Sequence, residues 1–322
     1  MSKAKVICLI VAASLVVAGL VLTVLALCLS GGNFGAFGTA TYVTETHEIT
    51  EEIRRISVTA DTSDITILLA EDGICKVVCH EEPNLKHKVT VSDGTLTIQR
   101  VDERKWYEHI SIGAESLSVT VYLTEQTYET LTVRNSTGDV TVSEDFTFDG
   151  VDISVSTGDV KNSASSAGAT SIKTNTGDIL LENVTAGSVK LSVTTGRITA
   201  RQVTCEGDLS VTVSTGKAEL TDVTCRSLTS GGSTGDLTLQ NVIAAAAFSV
   251  TRDTGDVTFK GCDATEITVR TDTGDVSGTF LSDKIFFATS DTGRIEVPHS
   301  TVGGACKITT DTGDIRLTVT AP

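Results

Sequence analysis

Downstream of Thr137, apolar and polar residues alternate in short runs that recur every 19 or 20 residues. The second residue after each recurring glycine is aliphatic (Val140, Val160, Ile179, Ile198, Ala218, Leu237, Val257, Val276, Ile295, Ile315), and the fourth is mostly apolar, as in Val142, Leu181, Leu220 and Phe259. The residue between them is usually polar, as in Thr141, Lys161, Thr238 and Arg316. A period of two predicts a strand with one face buried and one in water. A second alternating pair precedes many of the glycines: Ile153 with Val155, Leu191 with Val193, Val211 with Val213. Helical spacing is absent from this stretch.

The recurring glycines (Gly138, Gly158, Gly177, Gly196, Gly216, Gly235, Gly255, Gly274, Gly293, Gly313) each follow a threonine, and the next residue is usually Asp. Glycine admits backbone conformations that a Cβ forbids, and the flanking Thr and Asp oxygens can accept hydrogen bonds from amides that a tight turn leaves unpaired. Thr-Gly-Asp therefore reads as a repeated corner. A unit of this length cannot bury its apolar face alone and must stack on its neighbour. These features predict an all-β chain folded as a parallel β-solenoid of about ten coils of 19–20 residues.

The N-terminus carries a different pattern. Val6 to Leu29 is apolar except for Ser14 and Thr23, long enough to cross a bilayer. Lys3 and Lys5 precede it and no Lys or Arg follows before Arg54, so the positive-inside rule places the start in the cytoplasm and the solenoid outside. A cleaved signal peptide is the alternative, but its apolar core is normally shorter. Leu27 before Cys28 argues against a lipoprotein cleavage site. The expected division is residues 1–5 cytoplasmic, 6–29 a transmembrane helix, 30–40 a Gly-rich tether, 41–130 an irregular β region capping the first end, and 131–322 regular coils. Within the capping region, Asp61-Thr62-Ser63-Asp64 resembles a worn copy of the corner.

The net charge of −16 disfavours nucleic acid and anionic lipid as partners. Aspartates near the later corners (Asp253, Asp256, Asp272, Asp275, Asp291, Asp311, Asp314) should stack about one strand spacing apart, roughly 4.8 Å. They are candidate Ca²⁺ ligands, set against solvated turn acids, with Arg197, Lys217 and Arg294 interleaving charge along the ladder. Cys205 and Cys225 each stand nine residues after their corner glycine and should meet in adjacent coils, as a disulfide or as buried thiols. Cys262 and Cys306 are expected in the core. Cys75 and Cys79 with His80 and His87 superficially resemble a zinc set, but on a strand His80 faces away from both thiols, and a shared ion needs a turn not evident in the sequence. Trp106 and Tyr107, in a charged connection, are a candidate partner contact or a plug over the first coil.

The order of one N-terminal apolar segment, an irregular β region and coils such as Asn175-Thr176-Gly177-Asp178-Ile179 and Asp311-Thr312-Gly313-Asp314-Ile315 resembles the bacterial toastrack family, whose members carry the name adhesin. The resemblance implies a right-handed solenoid outside a bacterial membrane, with members linked to adhesion or envelope-stress sensing, and it brings no catalytic residues. No cofactor is expected. Uniform short coils leave no room for the loop-built cleft of a carbohydrate-active β-helix, which stands as the alternative class together with a Ca²⁺-binding repeat protein. The sequence thus reads as a membrane-anchored interaction, sensing or scaffold module at the cell envelope. Its partners would be an envelope or surface protein or polysaccharide, or a second copy meeting it at the C-terminal edge, since the chain stops just after its last strand.

Overall fold

The computed structural model describes residues 3–29, 41–102 and 116–320. One helix, Lys3–Leu29, holds a span, Lys5–Leu25, with a mean hydropathy of 2.8 and no part of it buried, and so is long and apolar enough to cross a membrane. All other regular elements among the described residues are strands, joined into one sheet that winds as a β-solenoid.

Stacking is parallel and in register. Val140 pairs with Val160, then Ile179, Ile198, Ala218, Leu237, Val257 and Val276 follow rung by rung, and each is at most 1% exposed. The inward column two residues on runs through Val142, Asn162, Leu181, Ala200, Leu220, Leu239 and Phe259. Asn162 is the polar member, and its Nδ2 donates to the Ala164 carbonyl at 3.0 Å, which meets part of the cost of burial. Each buried aliphatic side chain contributes about 1.5–3 kcal/mol of transfer free energy, so the core grows with every coil added. Aromatic rings gather at the two ends: Tyr128, Phe146 and Phe148 near the first, and Phe248, Phe259, Phe280 and Phe286 near the last.

The corner glycines need their lack of a side chain. At Gly177, φ is +135° and a Cβ would lie 2.1 Å from the carbonyl oxygen of Gly158 in the coil below. A second corner lies six residues further along each central coil. There Asn183, Gln202, Asp222 and Asn241 adopt φ of 57°, 52°, 55° and 51°, and Gly261 follows at 61°. Asn and Asp tolerate this left-handed conformation better than most side chains do, and Gln202 is the one non-glycine member of the column outside that rule. The Asn241 amide donates to Asp222 Oδ1 at 2.9 Å, tying two such corners together.

Both ends depart from chain order. The strand Arg55–Leu69 pairs on one side with Thr127–Thr137 and Val140–Val142, and on the other with Thr95–Asp102 and Leu117–Leu123. Thr62 stands opposite Thr137, so Asp61-Thr62-Ser63-Asp64 occupies a corner position with Ser63 in place of glycine. Antiparallel strands close this end: Leu85–Ser92 on Thr95–Asp102, Lys76–Glu81 on Leu117–Leu123, and Val43–Glu48 on Lys76–Glu81. At the far end, Ile315–Val319 lies between Val276–Phe280 and Ile295–Glu296, and Gly304–Thr312 lies between Val257–Thr273 and Lys284–Thr292.

The last coil in sequence is therefore the second to last in space, which corrects the expectation that the distal edge is formed by the chain's final strand. Glycines permit the crossing, because a Cβ on Gly303 would lie 1.8 Å from the Asp283 carbonyl oxygen and one on Gly304 1.7 Å from that of Thr265. The outer coil is also pinned by Lys284, 2% exposed, whose Nζ reaches Asp263 Oδ1 at 2.6 Å.

Gly177→Ala is expected to lower the thermal midpoint measured by circular dichroism. The loss should be at least about 1–3 kcal/mol from the backbone conformation alone. An unchanged midpoint would mean that the corner tolerates a Cβ.

Candidate functional site

The Thr-Gly-Asp corners form a hydrogen-bond ladder. Oδ1 of Asp139 accepts the backbone N–H of Asp159 at 2.8 Å, Asp159 accepts Asp178 at 2.7 Å, and Asp178 accepts Arg197 at 2.7 Å. Asp64 begins the series by accepting the N–H of Asp139. The ladder resumes at Asp236, which accepts Asp256, and continues through Asp275 and Asp314 to the N–H of Arg294, following spatial rather than chain order. Each carboxylate meets an amide that the turn of the next coil leaves free. Where Arg197 and Lys217 replace Asp the ladder is interrupted, and Lys217 Nζ instead pairs with Asp236 Oδ2 at 3.0 Å.

The acids proposed for Ca²⁺ thus separate into two columns. Asp256, Asp275 and Asp314 each spend an oxygen on the ladder. Asp253, Asp272, Asp311 and Asp291 occupy successive rungs of a second column, with Arg270 donating to Asp272 at 3.1 Å and lying 4.0 Å from Asp311. Among the described residues, only Cys79, Glu81 and His87 form a group of three or more ligating side chains whose ligand atoms all lie within 4.8 Å.

Cys205 and Cys225 stand on adjacent rungs, just beyond the pair Thr204 and Thr224, as free thiols. The Cys205 thiol turns to the Asp208 carbonyl at 3.5 Å, and burial pushes the Cys225 thiol up to about 12. Cys262 and Cys306 are fully buried, and His299 is exposed. Trp106 and Tyr107 lie outside the described residues.

The surface with most to offer a partner is the distal coil. Among the described residues the strand Lys284–Thr292 pairs only with Gly304–Thr312, and its other edge carries no strand. Ile295–Glu296 is two residues long while its neighbour Ile315–Val319 is five, and Pro298 ends the pairing. Beside this shortfall lies a cleft lined by Gly278, Thr279, Glu296, Val297, Pro298, Arg316, Leu317 and Thr318. Ile295 stands at the position buried in every preceding coil, yet it is 40% exposed, and Phe287 and Val302 are 56% and 60% exposed. Exposure of several large apolar side chains beside an unpaired strand edge is unusual for an isolated solenoid end. The swap of coil order that creates this end left no mark in the corner spacing; only the Gly303-Gly304 pair signals it.

The toastrack family DUF4097 matches residues 53–216 and 202–321 of the sequence. The chain belongs to the toastrack family. No curated protein matches it. Among solved structures it is similar to a "putative adhesin" of Parabacteroides distasonis, at 14% identity and a TM-score of 0.47, covering 87% of this chain and 98% of that one. A "putative lipid binding protein" of the same organism is similar at 15% identity and a TM-score of 0.48 over the same shares. A "putative adhesin" of Bacteroides fragilis is similar at 12% identity and 0.42, covering 86% and 97%.

The ladder has a measurable pH signature. The Lys217 ammonium, and then the Asp256 N–H, hold the Asp236 carboxyl below the usual carboxylate range. A group depressed on folding stabilises the native state above its unfolded pKa of about 3.9, and that contribution is lost as pH falls through the folded value. Asp236→Asn should lower the thermal midpoint at neutral pH by the equivalent of less than about 1 kcal/mol, since the pair is half exposed. The gap to wild type should close below about pH 4; a gap independent of pH would exclude the ionic origin.

Proposed function

We propose that the chain is a membrane-tethered, extracytoplasmic contact module that engages a surface or envelope component through the open end of its solenoid. The observation that carries this reading is the unequal construction of the two ends. The end the chain reaches first is closed by antiparallel strands, whereas the other offers unpaired backbone beside Phe287, Ile295 and Val302. An unpaired edge is a template for strand addition, in which backbone hydrogen bonds supply affinity and neighbouring side chains supply selectivity.

The helix Lys3–Leu29 is the anchor in this reading, with Lys3 and Lys5 holding its start in the cytoplasm. A single-pass anchor next to a closed end directs the open end toward whatever lies beyond the membrane. The occupant is a protein or polysaccharide segment of the envelope or surface, or a second copy of this chain meeting it edge to edge. The short, even corners supply no acid–base pair, so the reading assigns binding and no catalysis.

The test uses the full chain in detergent micelles, incubated with cell-wall polymers, matrix proteins and membrane extract, with retention and cleavage scored separately. The substitutions Phe287→Glu and Ile295→Lys together should reduce retention, or the self-association seen by sedimentation velocity, by about tenfold or more, the loss expected for a hot spot. Thr199→Glu, on a coil side, should change neither. Unaltered retention and self-association in the double variant, or release of sugar products, would overturn the reading.

A further inference from the structure

We infer that the closed end of the solenoid contains a zinc site formed by the Cys79 thiolate, a carboxylate oxygen of Glu81 and an imidazole nitrogen of His87. Cys79 and Glu81 are two apart on the strand Lys76–Glu81 and so point to the same face. The chain then reverses through Pro83 and Asn84, with the Leu85 N–H donating to the Glu82 carbonyl at 3.0 Å. This turn sets His87 beside Glu81. One ligand atom from each of the three residues lies within 4.8 Å of the others, and the residues are 0%, 0% and 4% exposed. Cys75 and His80 take no part. His80 stacks on Tyr42 and meets Thr44 Oγ1 at 3.0 Å, while Cys75 Sγ lies 3.9 Å from Thr124 Oγ1.

Hydrogen bonding within the protein leaves this cluster incomplete. Glu81 Oε2 accepts both the backbone N–H of His87 at 2.7 Å and its ring Nδ1–H at 2.8 Å. Among the described residues, Glu81 Oε1 and His87 Nε2 are buried and find no hydrogen-bond partner. A buried acceptor without a donor costs roughly 1–3 kcal/mol, and an ion shared with Glu81 would take the place of the His87 Nδ1 proton, which moves to Nε2 as the ring changes tautomer. Lys86 does not supply a positive charge here, because its ammonium is paired with Glu45, which stands opposite Cys79 in the strand register.

Charge and ligand type select the ion. A thiolate, a carboxylate and a neutral imidazole sum to two negative charges, which a divalent cation balances. Thiolate and imidazole together favour zinc over calcium or magnesium. Binding releases the thiol proton of Cys79 to solvent as the sulfur–metal bond forms, and a water fills the fourth tetrahedral position. Without a cation, burial and the nearby Glu81 and Glu45 carboxylates push the Cys79 thiol up to about 12, keeping it protonated. The site lies in the strands that close the first coil, so the ion would act as a clasp on that closure, and its binding free energy would add to folding.

The test compares the full chain in detergent after chelation with the same protein loaded with one equivalent of zinc. Loading should raise the thermal midpoint, and mass spectrometry under native conditions should count one ion per chain. Cobalt in place of zinc should give a thiolate-to-metal charge-transfer band, lost in Cys79→Ser and retained in Cys75→Ser. His87→Gln should weaken zinc binding at least about tenfold, the scale on which metal-site substitutions act. A chain that takes up no zinc and whose midpoint is unmoved would overturn the proposal and leave a buried Glu81–His87 pair alone. A charge-transfer band that survives Cys79→Ser would place the metal elsewhere. Should the variants fail to fold, the ion count and the midpoint shift of the wild-type chain still decide the matter.

Discussion

Everything in this molecule rests on the parallel pairing of one coil's backbone with the next, in register. Once two coils pair, residues at equivalent positions become neighbours, and the same side chain must suit the same place many times over. The corner glycine is the sharpest case, since the carbonyl of one corner occupies the space where the next would hold a Cβ. The Asp ladder is its electrostatic counterpart, with each carboxylate accepting an amide from the coil beside it. Corner, strand and core column are therefore one repeated requirement expressed at three positions.

A stack of this kind has no internal reason to stop, so its ends carry the information. The first end is closed by antiparallel strands, which cannot propagate the parallel ladder and so terminate it. The last end is built differently and stays open, with the final segment slipped inside the coil that precedes it in sequence. That manoeuvre buries the chain's last strand and exposes Phe287 and Ile295 in its stead. Membership in the toastrack family accounts for the architecture; the asymmetry between the ends is what a binding role would use.

Legibility in the sequence follows from locality. Ile179 with Leu181, or Val257 with Phe259, announces a half-buried strand because the pattern is complete within a few residues. The second corner is nearly as local, yet its column of Asn183, Gln202, Asp222, Asn241 and Gly261 varies in residue type and so hides behind the more uniform Thr-Gly. The cluster at the closed end was only half visible. Cys79 and His87 stand out in the sequence as ligand types, but Glu81 does not, because acids are common in a chain of this charge and only the Pro83–Asn84 reversal gives this one a partner.

The sequence alone determined the solenoid, its coil length, the corner chemistry and the apolar N-terminal helix, because each is set by spacing within a single coil or a single run. Only the tertiary structure decided which coil lies outermost, that two aspartate columns exist where one was expected, and which three side chains meet at the closed end. These depend on contacts between residues far apart in the chain, where a crossing such as the one at Gly303-Gly304 changes the order of neighbours without changing the repeat.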